Sequence, residues 1–131
     1  MKGRDITDGH TAFYARFARP GLVLAAIDPS TPETKQHLKI LEAANLEVAT
    51  IQAPTKIRDK FRTKEFAAGY LGFYICNGAI IAQECADKRA DHAAAEPLRK
   101  AFPGRQIVQL NTDGLAAGGG AIHGATLQEP S

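Results

Sequence analysis

The chain has 131 residues, of which 44% are hydrophobic and 23% charged, and its formal net charge is +2. These values are typical of one globular domain with its own core, and they exclude a disordered or fibrous chain. No apolar run approaches the ~20 residues that span a bilayer. A charge of +2 is too small to indicate nucleic-acid binding by itself. The first ten residues hold no apolar signal-peptide core, so we expect a cytoplasmic protein that does not contact membranes.

The cysteines and histidines predict no disulfide, metal or cofactor. Cys76 and Cys85 are the only two cysteines, which is too few for a disulfide framework, and they do not form a CxxC pair. The four histidines are scattered along the chain without the spacing of metal ligands. We therefore predict neither a metal site nor a cofactor.

A repeat organises most of the chain. Residues 13–54 and 67–112 each read as strand, tight turn, strand, helix and strand, residues 55–66 connect them, and a terminal strand is predicted at 121–128. A ββαβ unit does not bury both of its faces, so units of this kind pack against one another. We predict the α/β class, as a single partial domain. Its open edges predict a homo-oligomer, or completion by a separate chain.

The turn in each predicted hairpin carries a glycine at the same point. Pro20 presets φ for the first turn, and Gly21 takes the left-handed position after it. Asn77-Gly78 lies between two apolar runs and predicts a type I′ turn, in which both residues have positive φ.

Each hairpin is followed by a predicted helix. Ser30 or Thr31 can cap the first helix, and Pro32 lies in its first turn. In the second helix Pro97 falls inside the apolar stripe, which predicts a kink or a late helix start.

Five stretches, in the right order and at the right spacing, resemble the C-terminal part of agmatine deiminases, the group related to bacterial, Porphyromonas-type peptidylarginine deiminases. They are "DITDGH" at 5–10, "YARFARPG" at 14–21, "YLGFYICNGAIIAQ" at 70–83, "FPGRQIV" at 102–108 and "AAGGGAIHGATLQEP" at 116–130. The resemblance implies the pentein fold, a propeller of five ββαβ blades. This chain would supply about two of those blades, and a complementing N-terminal-half chain would supply others.

The chemistry implied by the resemblance is hydrolysis of a guanidinium, in which a cysteine thiolate attacks carbon and carboxylates hold the nitrogens. His10 matches the family's acid/base, and Asp8 matches the substrate-binding aspartate before it. Ala12 stands where the family has a guanidinium-binding carboxylate. Gly124 stands where the family has the nucleophilic cysteine, directly after His123.

Three further positions depart from the family pattern. Gly69 and Gly72 stand where serine and asparagine are usual, and Ala121 stands where glycine or asparagine is common. Because the departures concentrate at the chemistry, we expect an inactive, truncated agmatine-deiminase-like protein. One alternative is an active guanidine hydrolase that a partner chain completes, so a guanidine-type small molecule remains a candidate ligand.

The other alternative is an anion- or nucleic-acid-binding module. Five cations recur at every second residue in "KIRDKFRTK", residues 56–64, and would share one face of an extended segment. The same pattern also suits a solvated connection between the two units.

Cys76 and Cys85 are expected to pack as small apolar residues. The "GGGAIHG" loop lacks the Lys-Ser/Thr pair of a phosphate-binding loop.

Overall fold

The structure is a computed structural model that describes residues 10–129. Within them, two units follow one another with the same element order. The first unit contains β1 (Ala15–Arg19), β2 (Leu22–Ile27), α1 (Pro32–Ala43) and β3 (Glu47–Gln52). The second contains β4 (Tyr74–Cys76), β5 (Ala79–Gln83), α2 (Lys88–Ala101) and β6 (Gln106–Leu110), followed by the short α3 (Asp113–Ala117). Single 3₁₀ turns lie at Thr11–Phe13, Asp59–Phe61 and Ile122–Ala125.

Each unit forms one three-stranded mixed sheet. β1 runs antiparallel to β2, and β2 runs parallel to β3. The second sheet repeats this arrangement with β4, β5 and β6. A helix connects the two parallel strands in each case, as a parallel crossover requires. The predicted α/β class is therefore confirmed, and the two sheets are open rather than closed into a ring.

One hydrophobic core spans both units. Leu24 and Ile51 of the first sheet belong to the same buried cluster as Phe73, Ile80 and Leu98 of the second unit. Phe73 is fully buried, and its ring meets that of Phe102 edge-on at 5.4 Å between centroids. The two units are therefore packed as one body.

The two hairpin turns share a left-handed glycine but not the predicted turn type. Gly21 and Gly78 both have φ of +81°. Among the described non-glycine residues, positive φ occurs only at Asn45 and Ala86, so Asn77 has negative φ. The type I′ prediction at Asn77-Gly78 is therefore wrong, and one glycine suffices for the turn, as it does after Pro20.

Both helices start where the sequence indicates, but the capping contacts differ from those expected. Thr31 occupies the N-cap of α1 without a side-chain cap bond. Asp28 organises this turn instead: it accepts the backbone N–H and the hydroxyl of Ser30, at 2.8 and 2.6 Å. In α2, Asp87 caps the helix by accepting the N–H of Ala90 at 3.1 Å.

Helix α2 passes through its proline. It begins at Lys88, nine residues before Pro97, so the late start considered for this helix does not occur. Pro97 has no N–H to donate to the carbonyl four residues earlier. The helix tolerates this loss because its buried residues, which include Ala94 and Leu98, pack against the core.

The connection and the C-terminal segment depart from the predicted strands. A 3₁₀ turn at Asp59–Phe61 interrupts residues 56–64, so the cations there do not share one extended face. Arg58 points into the protein rather than along a stripe, because it pairs with two carboxylates. The strand predicted at 121–128 is absent; a 3₁₀ turn at Ile122–Ala125 stands there instead. No helix in the described part of the chain is long and apolar enough to cross a membrane.

Candidate functional site

The candidate site is the glycine-rich loop 118–124, which begins where the short helix α3 ends. The N–H groups of Gly118 and Gly120 both donate to the carbonyl of Leu115, at 3.1 and 3.2 Å. Gly119 has φ of +76°, a conformation that glycine adopts without strain. These bonds fold the chain back sharply and deliver it to the 3₁₀ turn that contains His123 and Gly124.

An ion-pair network anchors the base of this loop. Asp113, the first residue of α3, is 1% exposed, and its Oδ2 lies 3.0 Å from the Arg58 guanidinium. Arg58 also pairs with Glu84 Oε1 at 2.6 Å. Hydrogen bonds to both carboxylates raise the pKa of Arg58, so it stays charged. Arg58 therefore joins the connection between the units to Glu84, directly after β5, and to the start of α3, which leads into the loop.

The tip of the loop is held by the backbone of residues 71–73. The N–H of His123 donates to the carbonyl of Gly72 at 3.0 Å. Arg16 donates to the two neighbouring carbonyls, that of Leu71 at 2.9 Å and that of Phe73. Its guanidinium carbon also stands 4.0 Å from the centroid of the Phe73 ring. Strand β1, which follows His10 closely in sequence, and the loop therefore meet on one short segment.

Gly72 and Ala121 fit one another closely at this contact. A Cβ placed on Gly72 would lie 2.2 Å from the Cβ of Ala121, far inside van der Waals contact. Any side chain at 72, including the asparagine usual in the resembling family, therefore requires the loop to move. Two departures from the family pattern are thus one spatial feature, in which glycine at 72 makes room for alanine at 121.

Position 124 faces open space. Gly124 is exposed, and a Cβ placed on it would meet nothing within 4 Å. Its φ is not in the left-handed region, so the backbone itself would accept a cysteine. The loop thus has room for a nucleophile at this position and carries none.

The other predicted site residues lie around the N-terminal segment. His10 is exposed and precedes the 3₁₀ turn Thr11–Phe13, and Ala12 is half-buried within that turn. Asp8 lies outside the described residues. A methyl group at position 12 cannot hold a guanidinium, since that requires a carboxylate.

The two cysteines differ in their burial and hydrogen bonding. Cys85 is fully buried, and burial together with the negative charge of Asp91 raises its pKa to about 12. Cys76 is half-buried in β4, and its thiol donates to the carbonyl of Ala79 at 3.4 Å. A reactive cysteine needs a lowered pKa and access to substrate, and Cys85 has neither.

A buried polar network beside Cys85 was not predicted from the sequence. Asp91 Oδ1 accepts the Tyr70 hydroxyl at 2.8 Å and the backbone N–H of Cys85 at 2.9 Å. Burial and the bond to Asp91 raise the pKa of Tyr70 well above its ordinary value. The sequence signal was a lone aspartate on the apolar side of α2, close to Ala94 and Ala95.

Among the described residues, no group of three or more His, Cys, Asp or Glu side chains could hold a metal ion.

The fit between Gly72 and Ala121 generates a prediction about stability. We expect Gly72→Ala to lower the free energy of unfolding by about 1–3 kcal/mol, because the added methyl overpacks the contact. In the double variant with Ala121→Gly this loss should shrink, with a coupling energy of about 1 kcal/mol or more. Urea unfolding of the four proteins measures it, with Gly69→Ala as a control whose Cβ meets nothing within 4 Å. Strictly additive effects would contradict the proposed contact.

The burial of Cys85 generates a prediction about thiol chemistry. With a pKa of about 12 the thiolate fraction at pH 8 is about 10⁻⁴, so iodoacetamide should label Cys76 much faster than Cys85 in the folded protein. In urea both should react. Because the raised pKa belongs to the folded state, its stabilising effect is present below the ordinary thiol pKa and is lost as the pH rises toward 12. Stability should therefore fall over that range less steeply in Cys85→Ala. Equal native labelling rates would refute the assignment.

Comparison with known proteins agrees with this geometry. Residues 1–130 match the model of the Porphyromonas-type peptidyl-arginine deiminase family. A Streptomyces coelicolor relative, assigned as an agmatine deiminase, is 35% identical over 98% of this chain and 40% of its own length. The agmatine deiminase of Pseudomonas syringae pv. tomato is 31% identical over 97% of this chain and 42% of its own.

Solved structures give the same result. The agmatine deiminase of Enterococcus faecalis superposes with a TM-score of 0.75 at 27% identity, over 93% of this chain and 40% of that one. The agmatine deiminase of C. jejuni shares the fold, with a TM-score of 0.77 at 22% identity, over 89% and 38% of the two chains. The chain therefore spans about 40% of the length of the relatives it matches. With its glycine-rich loop, its two ββαβ units and a family match over nearly all its residues, the chain belongs to the Porphyromonas-type peptidyl-arginine deiminase family.

Proposed function

We propose that this chain is an agmatine-deiminase-like protein that does not hydrolyse guanidines. The observation that carries the proposal is that Gly124 has no side chain, although the loop around it is held by contacts at its base and at its tip. The loop is anchored by Asp113 at its base and by Gly72 at its tip, yet the position that faces open space has no side chain.

The chemistry explains why this one position decides the activity. Hydrolysis of a guanidinium requires a nucleophile that attacks the central carbon, a group that moves protons, and carboxylates that hold the N–H groups. His10 can move a proton, but without a nucleophile there is no attack on carbon for this proton transfer to assist. With alanine at position 12, one of the carboxylates that would hold the guanidinium N–H groups is absent. Of the groups that the resemblance implies, the sequence retains Asp8 and His10.

The proposal also includes the architecture of the chain, its association and its cellular location. Its two ββαβ units correspond to two of the five blades that the family resemblance implies, in keeping with a length about 40% of that of the relatives. Open sheet edges favour association, with a second copy or with a complementing chain. Two free thiols favour a reducing compartment, in agreement with the cytoplasmic location expected from the sequence.

The two alternatives require additional components. A hydrolase completed by a partner needs that partner to supply the thiol, because Cys85 is buried and Cys76 is engaged in β4. An anion-binding role for residues 56–64 loses one of its five cations, since Arg58 is committed to Glu84 and Asp113.

We expect the purified chain to release no ammonia and form no ureido product from agmatine or from a peptidyl-arginine substrate. Both products can be measured in one incubation, with a catalytically competent agmatine deiminase as the positive control. The double variant Gly124→Cys/Ala12→Asp should also give none in the isolated chain, because most of the length found in the relatives is not part of it. Turnover above background by the natural chain would overturn the proposal. If that turnover persisted in Cys76→Ser but not in Cys85→Ser, the nucleophile would be Cys85.

A further inference from the structure

The turn between β4 and β5 places a side-chain amide next to an unshielded main-chain nitrogen. Asn77 and Gly78 are both exposed, and Gly78 has no side chain that would cover its nitrogen. Within residues 10–129, the N–H of Gly78 donates to no backbone carbonyl. The side-chain amide of Asn77 takes part in none of the hydrogen bonds of those residues. A nucleophilic nitrogen and an amide carbon that it can attack are therefore both accessible to solvent.

The first unit forms the corresponding turn without a reactive amide. Gly21 and Gly78 both have φ of +81°. The carbonyl of Gly21 accepts the N–H of Glu47, the first residue of β3, at 2.9 Å. The carbonyl of Gly78 accepts the N–H of Gln106, the first residue of β6, at 2.8 Å. Pro20 stands before Gly21 and has no side-chain amide, so the first turn is a built-in control for the second.

We propose that Asn77-Gly78 is a modification site, at which the Gly78 nitrogen cyclises onto Asn77 without an enzyme. The nitrogen gives up its proton to a base and bonds to Cγ of Asn77. The bond from Cγ to Nδ2 breaks, and Nδ2 takes up a proton and leaves as ammonia. Water then opens the five-membered imide, to aspartate at Cγ or to isoaspartate at the main-chain carbon. Asparagine is thermolabile through reactions of this kind.

The isoaspartyl product alters the sheet as well as the charge. Its main chain runs through Cβ and Cγ, which adds one carbon between positions 77 and 78. Gly78 is then displaced from β4, and its carbonyl loses the position from which it accepts the N–H of Gln106. The start of β6 should therefore loosen. Both products replace a neutral amide with a carboxylate, so the formal net charge falls by one from +2.

Peptide mapping by mass spectrometry tests the reaction, because the chain contains two matched asparagines. Asn45 is also exposed but precedes Leu46, and Asn111 precedes Thr112. In warm, mildly alkaline buffer Asn77 should convert at least about tenfold faster than either of them. Trypsin places the three asparagines in different peptides, and freshly purified chain digested in parallel gives the background. Conversion of Asn77 no faster than that of Asn45 would overturn the proposal.

The variant Asn77→Gln tests whether ring closure at this turn is the source of the ammonia. Glutamine retains a side-chain amide, but its cyclisation onto Gly78 would require a less favourable six-membered ring. The variant should therefore release at least about tenfold less ammonia than the natural chain over the same incubation. Equal release from the two proteins would contradict the assignment to Asn77.

Hydrogen exchange tests the structural consequence. In the isoaspartyl form, separated by ion exchange, the Gln106 amide should exchange at least about tenfold faster than in the natural chain. The Glu47 amide, which is bound in the same way by Gly21, should not change. Freshly purified Asn77→Asp adds the charge without the extra carbon, so its Gln106 amide should also match the natural chain. An unchanged Gln106 amide in the isoaspartyl form would refute the loosening of β6.

The inference goes beyond the proposed function and is tested independently of it. Cyclisation releases one ammonia per chain, needs no agmatine and forms no ureido product. Deiminase turnover would form ureido product in step with ammonia. Each reaction is therefore recognised by its own products, whichever of the two proposals fails.

Discussion

Arg16 is the contact on which the candidate site depends. Its guanidinium donates to the carbonyls of Leu71 and Phe73 and lies over the Phe73 ring. Burial removes water from the guanidinium and so lowers the pKa of Arg16 from its ordinary value. The carbonyl acceptors replace the hydrogen bonds to water that the buried charge has lost. By binding the first and third carbonyls of residues 71–73, Arg16 fixes this segment. The middle carbonyl, that of Gly72, is left to accept the N–H of His123.

This arrangement separates the frame of the site from its chemistry. The loop is held by main-chain bonds, by the Asp113–Arg58 pair and by the contact of Ala121 with Gly72. Gly124 contributes only a main-chain bond, from its N–H to the carbonyl of Ala121 at 3.1 Å, and nothing lies within 4 Å of the place where its side chain would be. A side chain at position 124 would therefore add no packing contact, and the loop is held without one. Glycine at 72 and alanine at 121, by contrast, have to change together, because each occupies space that the other would otherwise need.

The sequence was sufficient for the repeat and for the family, because both depend on local patterns. Gly21 and Gly78 mark equivalent turns, and the apolar spacing in α2 identifies its buried side, whereas α1 contains no buried residue. It was insufficient where a residue's role depends on a distant partner. Arg58 looked like one member of a basic stripe, and only the approach of Glu84 and Asp113, 26 and 55 residues away along the chain, makes it an internal ion pair.

Two local predictions failed for physical reasons that the sequence conceals. Asn77 tolerates positive φ but is not obliged to adopt it, and the turn closes with Gly78 alone in that region. Residues 121–128 have the composition of a strand. Residues 122–125 instead form a 3₁₀ turn. The N–H of His123 donates to the carbonyl of Gly72 rather than to a neighbouring strand. The relation between Gly72 and Ala121 is also invisible in sequence, because both are small residues that carry no signal until their separation is known.

Hydrogen exchange at the His123 amide tests most directly whether the loop is held as described. If the carbonyl of Gly72 accepts this N–H within a frame fixed by Arg16, the amide should exchange far more slowly than an unprotected amide. Arg16→Met should raise its rate more than it raises the rates of amides in α1. A His123 amide that exchanges at the unprotected rate in the natural chain would mean that the loop is not docked on residues 71–73 and that Arg16 does not hold the site as described.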